Sequence, residues 1–130
     1  MAMVIDTSAL LAVVLGEPER PKLIAATEGE SLTAPAVLPY EVGNAISAMS
    51  KRGRIAPNEC LEIWGSFESI PIQLRQIDIA AAIMLADELG IYAYDAYFLQ
   101  LCLAAKLPLL TLDSAMNRHA AKLGINRWSL

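Results

Sequence analysis

The chain contains few residues of the kinds that reveal a site by themselves. Among 130 residues it has one histidine and two cysteines, and aromatic side chains make up only 6%. Cys60 and Cys102 lie far apart, without the C-x-x-C or histidine-paired spacing of a zinc site. We therefore expect reduced, buried thiols in a cytoplasmic protein, in place of a disulfide or a metal role. His119, the single histidine, is expected to be a solvated residue of a surface helix.

Long apolar runs and an excess of positive charge are also missing. No uncharged stretch reaches the roughly 18 residues that a membrane-spanning helix requires. The apolar stretch that ends at Gly16 has no basic leader, so we do not interpret it as a signal peptide. We expect no membrane association. The formal net charge of −4 argues against an open basic platform for nucleic acid.

Hydrophobic residues, at 55% of the chain, suit a sheet that is buried on both faces. The length predicts a single domain over residues 1–130. Short apolar runs alternate with helical patterns throughout, which predicts an α/β sandwich with a mainly parallel, four- to five-stranded sheet. The predicted strands are 3–5, 31–33, 72–77 and 109–112, with 125–130 as the candidate fifth.

Four carboxylates lie in otherwise apolar stretches, where they are costly: Asp6, Glu41, Asp95 and Asp113. The three aspartates fall where an apolar run gives way to a helical pattern, in MVID-TSALLA, IYAYD-AYFLQ and LLTLD-SAMNR. Because parallel strands end at one edge of a sheet, we expect these side chains to meet there. Two carboxylates about 4 Å apart repel by roughly 4 kcal/mol at an effective dielectric near 20. Without Lys or Arg neighbours they need a cation, and an oxygen-only set suits Mg²⁺ or Mn²⁺.

Each of these residues also has an ordinary structural explanation. Asp is a favoured helix N-cap, and we assign Asp78 to capping alone. Glu41 lies inside a helix, with Asn44 three residues on, so both project from one face and a solvated role is the alternative. Ser8 could orient a carboxylate or serve the first turn of its helix. Thr111 points to the same face of its strand as the carboxylate two residues later.

Three strings in order, MVIDTSALLAVVLGE, PYEVGNAI and AYDAYFLQLCLAAKLPLLTLD, resemble the PIN-domain nucleases. The resemblance is strongest to the VapC-type toxins of prokaryotic toxin–antitoxin pairs, and it covers essentially the whole chain. It implies a three-layer α/β/α sandwich, a metal-dependent endoribonuclease activity on RNA phosphodiester bonds, a homodimer and a cognate antitoxin. It also implies that Mg²⁺ or Mn²⁺ would be bound by Asp6, Glu41, Asp95 and Asp113, supported by Ser8, Asn44 and Thr111.

Three further groups of residues each have more than one interpretation. A basic cluster either sits favourably at a helix C-terminus or contacts RNA phosphates: Lys51, Arg52 and Arg54. A bulky apolar group fills the core or lines a groove for a partner: Ile63, Trp64 and Phe67. A tyrosine group stacks on bases, lines a dimer seam or packs ordinarily: Tyr92, Tyr94 and Tyr97.

Two other functions compete with the nuclease. A non-catalytic PIN-like scaffold would bind RNA or a protein without cutting, and loss of a carboxylate would be its signature. A phosphoacceptor receiver domain would also gather acids at a sheet edge, but it needs a lysine just after a late strand. Lys106 precedes the strand at 109–112 and no lysine directly follows it, so we disfavour the receiver domain.

Overall fold

The computed structural model describes residues 1–128. Within them the chain forms four strands and seven helices. The strands are β1 (Ala2–Ile5), β2 (Ser31–Pro35), β3 (Ile72–Arg75) and β4 (Leu109–Leu110). The helices are α1 (Thr7–Val14), α2 (Arg20–Thr27), α3 (Leu38–Lys51), α4 (Pro57–Glu68), α5 (Ile79–Leu89), α6 (Ala93–Ala105) and α7 (Ser114–Lys122). In this part of the chain no helix is long and apolar enough to cross a membrane.

All strand pairs are parallel, and the sheet order is β3-β2-β1-β4. The inner strand β1 pairs with β2 on one side and with β4 on the other. Met3, Val4 and Ile5 are at most 2% exposed, so β1 is covered on both faces. Helix α6 packs against β1 and β2, while α1, α3 and α4 pack on one another. The predicted three-layer α/β/α sandwich is confirmed.

Helix α3 follows the helical repeat of its apolar residues. Leu38, Val42 and Ile46 recur every four residues, and all three are buried in the main core. The helix packs against α4 and α1. Glu41 lies in its first turn, at the edge of this buried stripe. The apolar face of α3 thus fixes the direction in which Glu41 projects.

Several predicted boundaries are wrong, including the start of the helix that carries Asp95. Gly90 ends α5 in the left-handed conformation, with φ of 67°, and α6 already begins at Ala93, two residues before Asp95. Asp95 therefore lies within the first turn of α6 and does not start the helix. The continuous apolar run at 91–94 looks like a buried strand, but the packing of α5 against α6 makes it a helical connection.

Two strands are shorter than predicted. β3 ends at Arg75. β4 ends at Leu110, because Thr111 leaves the sheet ladder to bond side chains at the end of β1. The proposed edge strand at 125–130 is reduced to one parallel bridge between Leu109 and Arg127. Residues 129 and 130 of that prediction lie outside the described residues.

Candidate active site

Asp6 directly follows β1 and is the N-cap of α1. Its Oδ1 accepts hydrogen bonds from the Ala9 backbone N–H at 3.1 Å and from Ser8 Oγ at 2.7 Å. Its Oδ2 accepts a hydrogen bond from Thr111 Oγ1. The side chain is only 5% exposed. Three donors therefore hold one buried carboxylate in a fixed orientation.

The Ser8 and Thr111 hydroxyls join the ends of β1 and β4. Their oxygens lie 3.2 Å apart. The backbone N–H of Leu112 donates to Ser8 Oγ at 3.1 Å, and that of Asp113 donates to Thr111 Oγ1 at 3.0 Å. We call these two side chains the hydroxyl bracket. It ties the loop after β4 to the first turn of α1, and so positions Asp113 relative to the buried aspartate.

Glu41 is oriented by a residue that the sequence analysis did not single out. Thr7 Oγ1 donates a hydrogen bond to Glu41 Oε2 at 3.1 Å. Thr7 is the first residue of α1 and follows Asp6 directly. Its position in the string D-T-S is the only signal that could have drawn attention to it. Helix α1 therefore contributes hydroxyls to two carboxylates.

Asp113, Asp95 and Asn44 are the more exposed members of the predicted carboxylate site. Asp113 is exposed and caps α7, and its Oδ1 accepts from the Ala115 and Met116 backbone N–H groups at 2.8 and 3.2 Å. Asp95 is exposed in the first turn of α6. Asn44 is exposed one turn after the glutamate of α3.

The pKa shifts indicate that the four carboxylates repel one another electrostatically. Burial is the main cause that raises the pKa of Asp6, and the charge of Asp113 raises it further. Burial raises the pKa of Glu41 from 4.5 to about 7, with added repulsion from Asp95 and Asp6. Partial desolvation and the charge of Asp113 raise the pKa of Asp95, while His119 opposes that rise. Each acid is thus coupled by repulsion to at least one of the others, across three helices and the end of β1.

No Lys or Arg side chain forms an ion pair with these carboxylates within residues 1–128, and His119 offsets the repulsion only at Asp95. The one ion pair of this region joins the N-terminal amine to Glu30 at 2.7 Å, away from the cluster. None of the four carboxylates there has a Lys or Arg partner within 4.0 Å. A site of this kind is electrostatically suited to a cation.

The chemistry of these side chains suits a metal ion, but the distances between them do not yet form a metal site. Four carboxylates and three neighbouring hydroxyls are hard oxygen donors, which Mg²⁺ and Mn²⁺ prefer. However, in the described part of the chain no three His, Cys, Asp or Glu side chains lie close enough together to hold a metal ion. The chemistry of the residues therefore fits a divalent ion, and at least some of their side chains would have to move to bind one.

Two residues outside the carboxylate set lie within electrostatic reach of it. His119 is half-buried, contrary to the prediction of a solvated residue, and its Nδ1 is enclosed without a hydrogen-bond partner among the described residues. The position of His119 on α7 brings it within electrostatic reach of Asp95. Cys102 is buried, and burial together with the charge of Asp6 raises the pKa of its thiol to about 12. Cys102 and Cys60 are both free, as predicted, but Cys60 is only half-buried.

A cavity of about 700 Å³ lies away from this chemistry. It is lined by residues at the C-terminal ends of α1 and α4, among them Leu15, Glu17 and Ser69. Asp6 lies at the opposite end of α1, about 12 Å away along an eight-residue helix. The carboxylates form an open edge of the sheet, which suits an extended ligand better than a small enclosed one.

Comparison with known proteins agrees with this architecture. Residues 3–122 match the family model described as PIN domain. The crystal structure of PAE2754 from Pyrobaculum aerophilum is similar, with a TM-score of 0.71 and 24% identity over 92% of this chain and 87% of that one. A chain in the crystal structure of VapBC2 from Rickettsia felis, bound to a DNA fragment from their promoter, has a TM-score of 0.66 and 12% identity, covering 99% and 100%. Comparison with curated proteins gives no significant match. The match over nearly the whole chain establishes that this protein belongs to the PIN domain family.

Proposed function

We propose that this protein is a metal-dependent endoribonuclease and the toxin of a toxin–antitoxin pair. PIN domains are typically nucleases that use divalent metal ions, which supports the class of activity. The observation that carries the proposal is the group of four mutually repelling carboxylates without a Lys or Arg partner within 4.0 Å among residues 1–128. Such a group is costly in a folded protein unless it binds a cation.

The ion would be Mg²⁺ or Mn²⁺, held by Asp6, Glu41, Asp95 and Asp113. When bound, it supplies charge stabilisation at a scissile phosphate and lowers the pKa of a coordinated water. The chain itself contributes orientation. The hydroxyl bracket holds Asp6, and Thr7 holds Glu41, so that neither carboxylate has to be ordered when the substrate arrives.

RNA would reach the site along α3. Lys51, Arg52 and Arg54 are exposed at the C-terminal end of this helix, and Glu41 lies near its beginning. Ten residues of helix separate Glu41 from Lys51, which is about 15 Å. The cluster therefore suits contacts with phosphates beyond the cleaved one, and such contacts make binding sensitive to salt. Asn44, exposed between the two, is positioned for a polar contact on the same path.

A groove between α3 and α4 is the proposed seat of the antitoxin. It has a volume of about 360 Å³ and is lined by Ile46, Leu61 and Trp64 among others. Leu61 is 79% exposed, whereas Phe67 is buried in the core. The VapBC2 structure from Rickettsia felis, by its name a two-component complex, has a chain of this fold. An amphipathic segment of a partner would cover the groove by placing its apolar face there.

A homodimer would use the exposed apolar residues of α5. Ile79 and Ile83 lie one turn apart on one face and are each 54% exposed, and Met84 beside them is 69% exposed. We also infer a cytoplasmic location, because both cysteines are free thiols.

The second candidate function is a PIN-like scaffold that binds RNA or protein without cutting. The spacing of the carboxylates favours it, because no three of these groups in residues 1–128 form a metal site as placed. The two candidates agree on the fold and on the RNA-binding surface. They differ only in whether a metal ion converts binding into hydrolysis.

The decisive experiment compares wild-type protein with Asp6→Asn and Asp78→Asn on total cellular RNA, with Mn²⁺ and with EDTA. Asp78 is the matched control, because it also caps a helix, accepting from Ala81 N–H at 3.0 Å, but lies outside the cluster. Asn is itself a good N-cap, so both variants should fold. We expect wild type and Asp78→Asn to cleave RNA with Mn²⁺, and Asp6→Asn to be inactive. Equal cleavage by all three would indicate a contaminating nuclease, and binding without cleavage by wild type would favour the scaffold.

A further inference from the structure

The two edges of the sheet differ in how their backbone groups are covered. Beyond β4, the Leu109 N–H donates to the Asn126 carbonyl at 2.9 Å, and the Trp128 N–H donates to the Leu109 carbonyl at 2.9 Å. On the other side, β3 pairs only with β2 among residues 1–128. Residues 73–76 are all exposed. The outer side of β3 is therefore an open edge of the sheet.

The register of β3 on β2 fixes which backbone groups of β3 are free. Arg75 lies opposite Pro35, and the Arg75 carbonyl accepts a hydrogen bond from the Ala36 N–H at 2.9 Å. The N–H and C=O of one strand residue point to the same side, and successive residues point to opposite sides. Leu74 therefore directs both groups away from β2, and neither has a hydrogen-bond partner within residues 1–128. Unpaired groups of this kind are a template for another strand.

The exposed apolar surface of α5 continues from this edge. Helix α6 packs on β1 and β2, while α5 packs on α6 and begins four residues after β3 ends, which places α5 on the β3 side. Arg75 and Ile79 line the same cavity of about 210 Å³. Leu74 is 44% exposed, and Ile79 and Ile83 are each 54% exposed. The open edge and the exposed face of α5 thus form one continuous surface.

We propose that a second copy of this chain adds its β3 to this edge in antiparallel orientation, around a two-fold axis at Leu74. Each Leu74 then donates its N–H to the C=O of the other. Gln73 lies opposite Arg75 of the second copy, where the amide oxygen accepts from the guanidinium. A register centred on Arg75 would place two like charges opposite each other, which is unfavourable. The inference rests on the proposed homodimer and gives it a geometry.

Arg75 and the shortness of β3 are also ordinary means of keeping an edge strand unpaired. Here the register at Leu74 places the only charge of the strand opposite an uncharged glutamine. The exposed isoleucines of α5 supply apolar area that four strand residues lack. A two-fold contact uses the same surface on both copies, so it closes as a dimer and does not propagate into a fibre. These features favour a second copy over an unrelated partner.

The geometry predicts how the two carboxylate sites are arranged. Within one chain β1 and β3 both run parallel to β2, whereas the two β3 strands of the dimer run antiparallel. The Asp6 side chains of the two copies therefore lie at opposite ends of the extended sheet. Neither copy contributes a residue to the site of the other, so each site is expected to act independently.

Hydrogen exchange of backbone amides, followed by NMR as the protein concentration rises, tests the pairing in the wild-type protein. The Leu74 N–H should exchange rapidly in dilute protein and become protected as the dimer forms. The N–H groups of Gln73 and Arg75 face β2 and should be protected at every concentration. Fast exchange of Leu74 in a dimeric sample would overturn the inference. Protection that appears only after antitoxin is added would assign the edge to the antitoxin.

Sedimentation equilibrium gives the dissociation constant of the dimer for each variant. Leu74→Pro removes the outward N–H but keeps the bonds to β2, and it should weaken the dimer about 5–150-fold, because two equivalent hydrogen bonds are lost. Gln73→Lys places a charge opposite Arg75 at two equivalent positions and should weaken the dimer about 2–30-fold, whereas Gln73→Glu should tighten it by a similar factor. Asn58→Lys adds the same charge at an exposed position of α4 and should dimerise like wild type. Thermal unfolding shows whether each variant is folded, and the Gln73 variants decide the question if Leu74→Pro is not.

The outcomes separate this inference from the other proposals. A dimer that responds to Ile83→Asp but to none of the β3 variants would contradict the extended sheet alone. A wild-type monomer would contradict both the extended sheet and the homodimer, while RNA cleavage by wild type would still test the nuclease by itself. In dimers mixed with Asp6→Asn, activity should fall only in proportion to the inactive chain. A steeper fall would contradict independent sites at opposite ends.

Discussion

Glu41→Gln should stabilise the metal-free protein at alkaline pH and leave it unchanged in acid. The pKa of Glu41 is raised from 4.5 to about 7, so the folded state binds this proton more tightly than the unfolded state does. Wild-type stability therefore falls as pH rises from about 4.5 to about 7. Gln keeps an oxygen that can accept the Thr7 hydrogen bond but cannot be charged, so the variant lacks this fall.

The size of the effect can be bounded. At about 1.4 kcal/mol per pKa unit, the raised pKa corresponds to at most about 3.5 kcal/mol. Glu41 is half-exposed, and solvent screening reduces this to on the order of 1 kcal/mol. For a chain of this size that is a rise in Tm of about 4 °C.

The assay is thermal unfolding in EDTA at pH 4.5 and pH 8, with Glu62→Gln as the matched control on the exposed face of α4. Glu41→Gln should gain about 4 °C over wild type at pH 8 and nothing at pH 4.5. The control should differ from wild type at neither pH. Adding Mn²⁺ at pH 8 should raise the Tm of wild type more than that of Glu41→Gln. The reasoning would be refuted if the difference in Tm between Glu41→Gln and wild type were the same at pH 4.5 and pH 8.

Three further predictions concern residues around the site and on the surface. Thr111→Val removes a hydrogen-bond donor to Asp6. RNA cleavage, and Mn²⁺ affinity measured by calorimetry, should each fall about 10–100-fold while the protein stays folded. An unchanged Mn²⁺ affinity would contradict this role of Thr111. Ile83→Asp places a charge on the exposed face of α5 and should convert a dimer to a monomer by light scattering, whereas a wild-type monomer would remove the proposed interface. In a Cys60→Ser background, Cys102 should react with an aromatic disulfide reagent only on unfolding, because its thiol is 1% exposed and its pKa is raised to about 12; rapid reaction of the native protein would contradict this.

The part of the fold that the sequence predicts well depends on continuous apolar runs. Met3–Ile5 and Leu109–Leu110 are both runs of buried residues, and the two strands pair side by side in the structure. Asp6 and Asp113 follow these strands, so their proximity could be expected from the rule that parallel strands end at one edge. Here local pattern and tertiary structure point in the same direction.

The sequence predicts less where contacts are long-range or an apolar run is short. Ile91–Tyr94 has the composition of a buried strand, and only the packing of α5 against α6 makes it the start of a helix. The bond from Thr7 to Glu41 spans 34 residues and leaves no local pattern. The burial of His119 Nδ1 likewise depends on which side chains pack around α7, and helical periodicity does not encode this.

The hydroxyl bracket has a consequence for the order in which the site matures during synthesis. Thr111 meets Asp6 across a sequence separation of 105 residues, and the final carboxylate follows two residues later. A ribosome must therefore translate the chain through Thr111 before the first aspartate acquires its partner from the end of β4. A shorter nascent chain would carry Asp6 without that clamp, so the proposed ribonuclease site would not be complete until β4 joins the sheet.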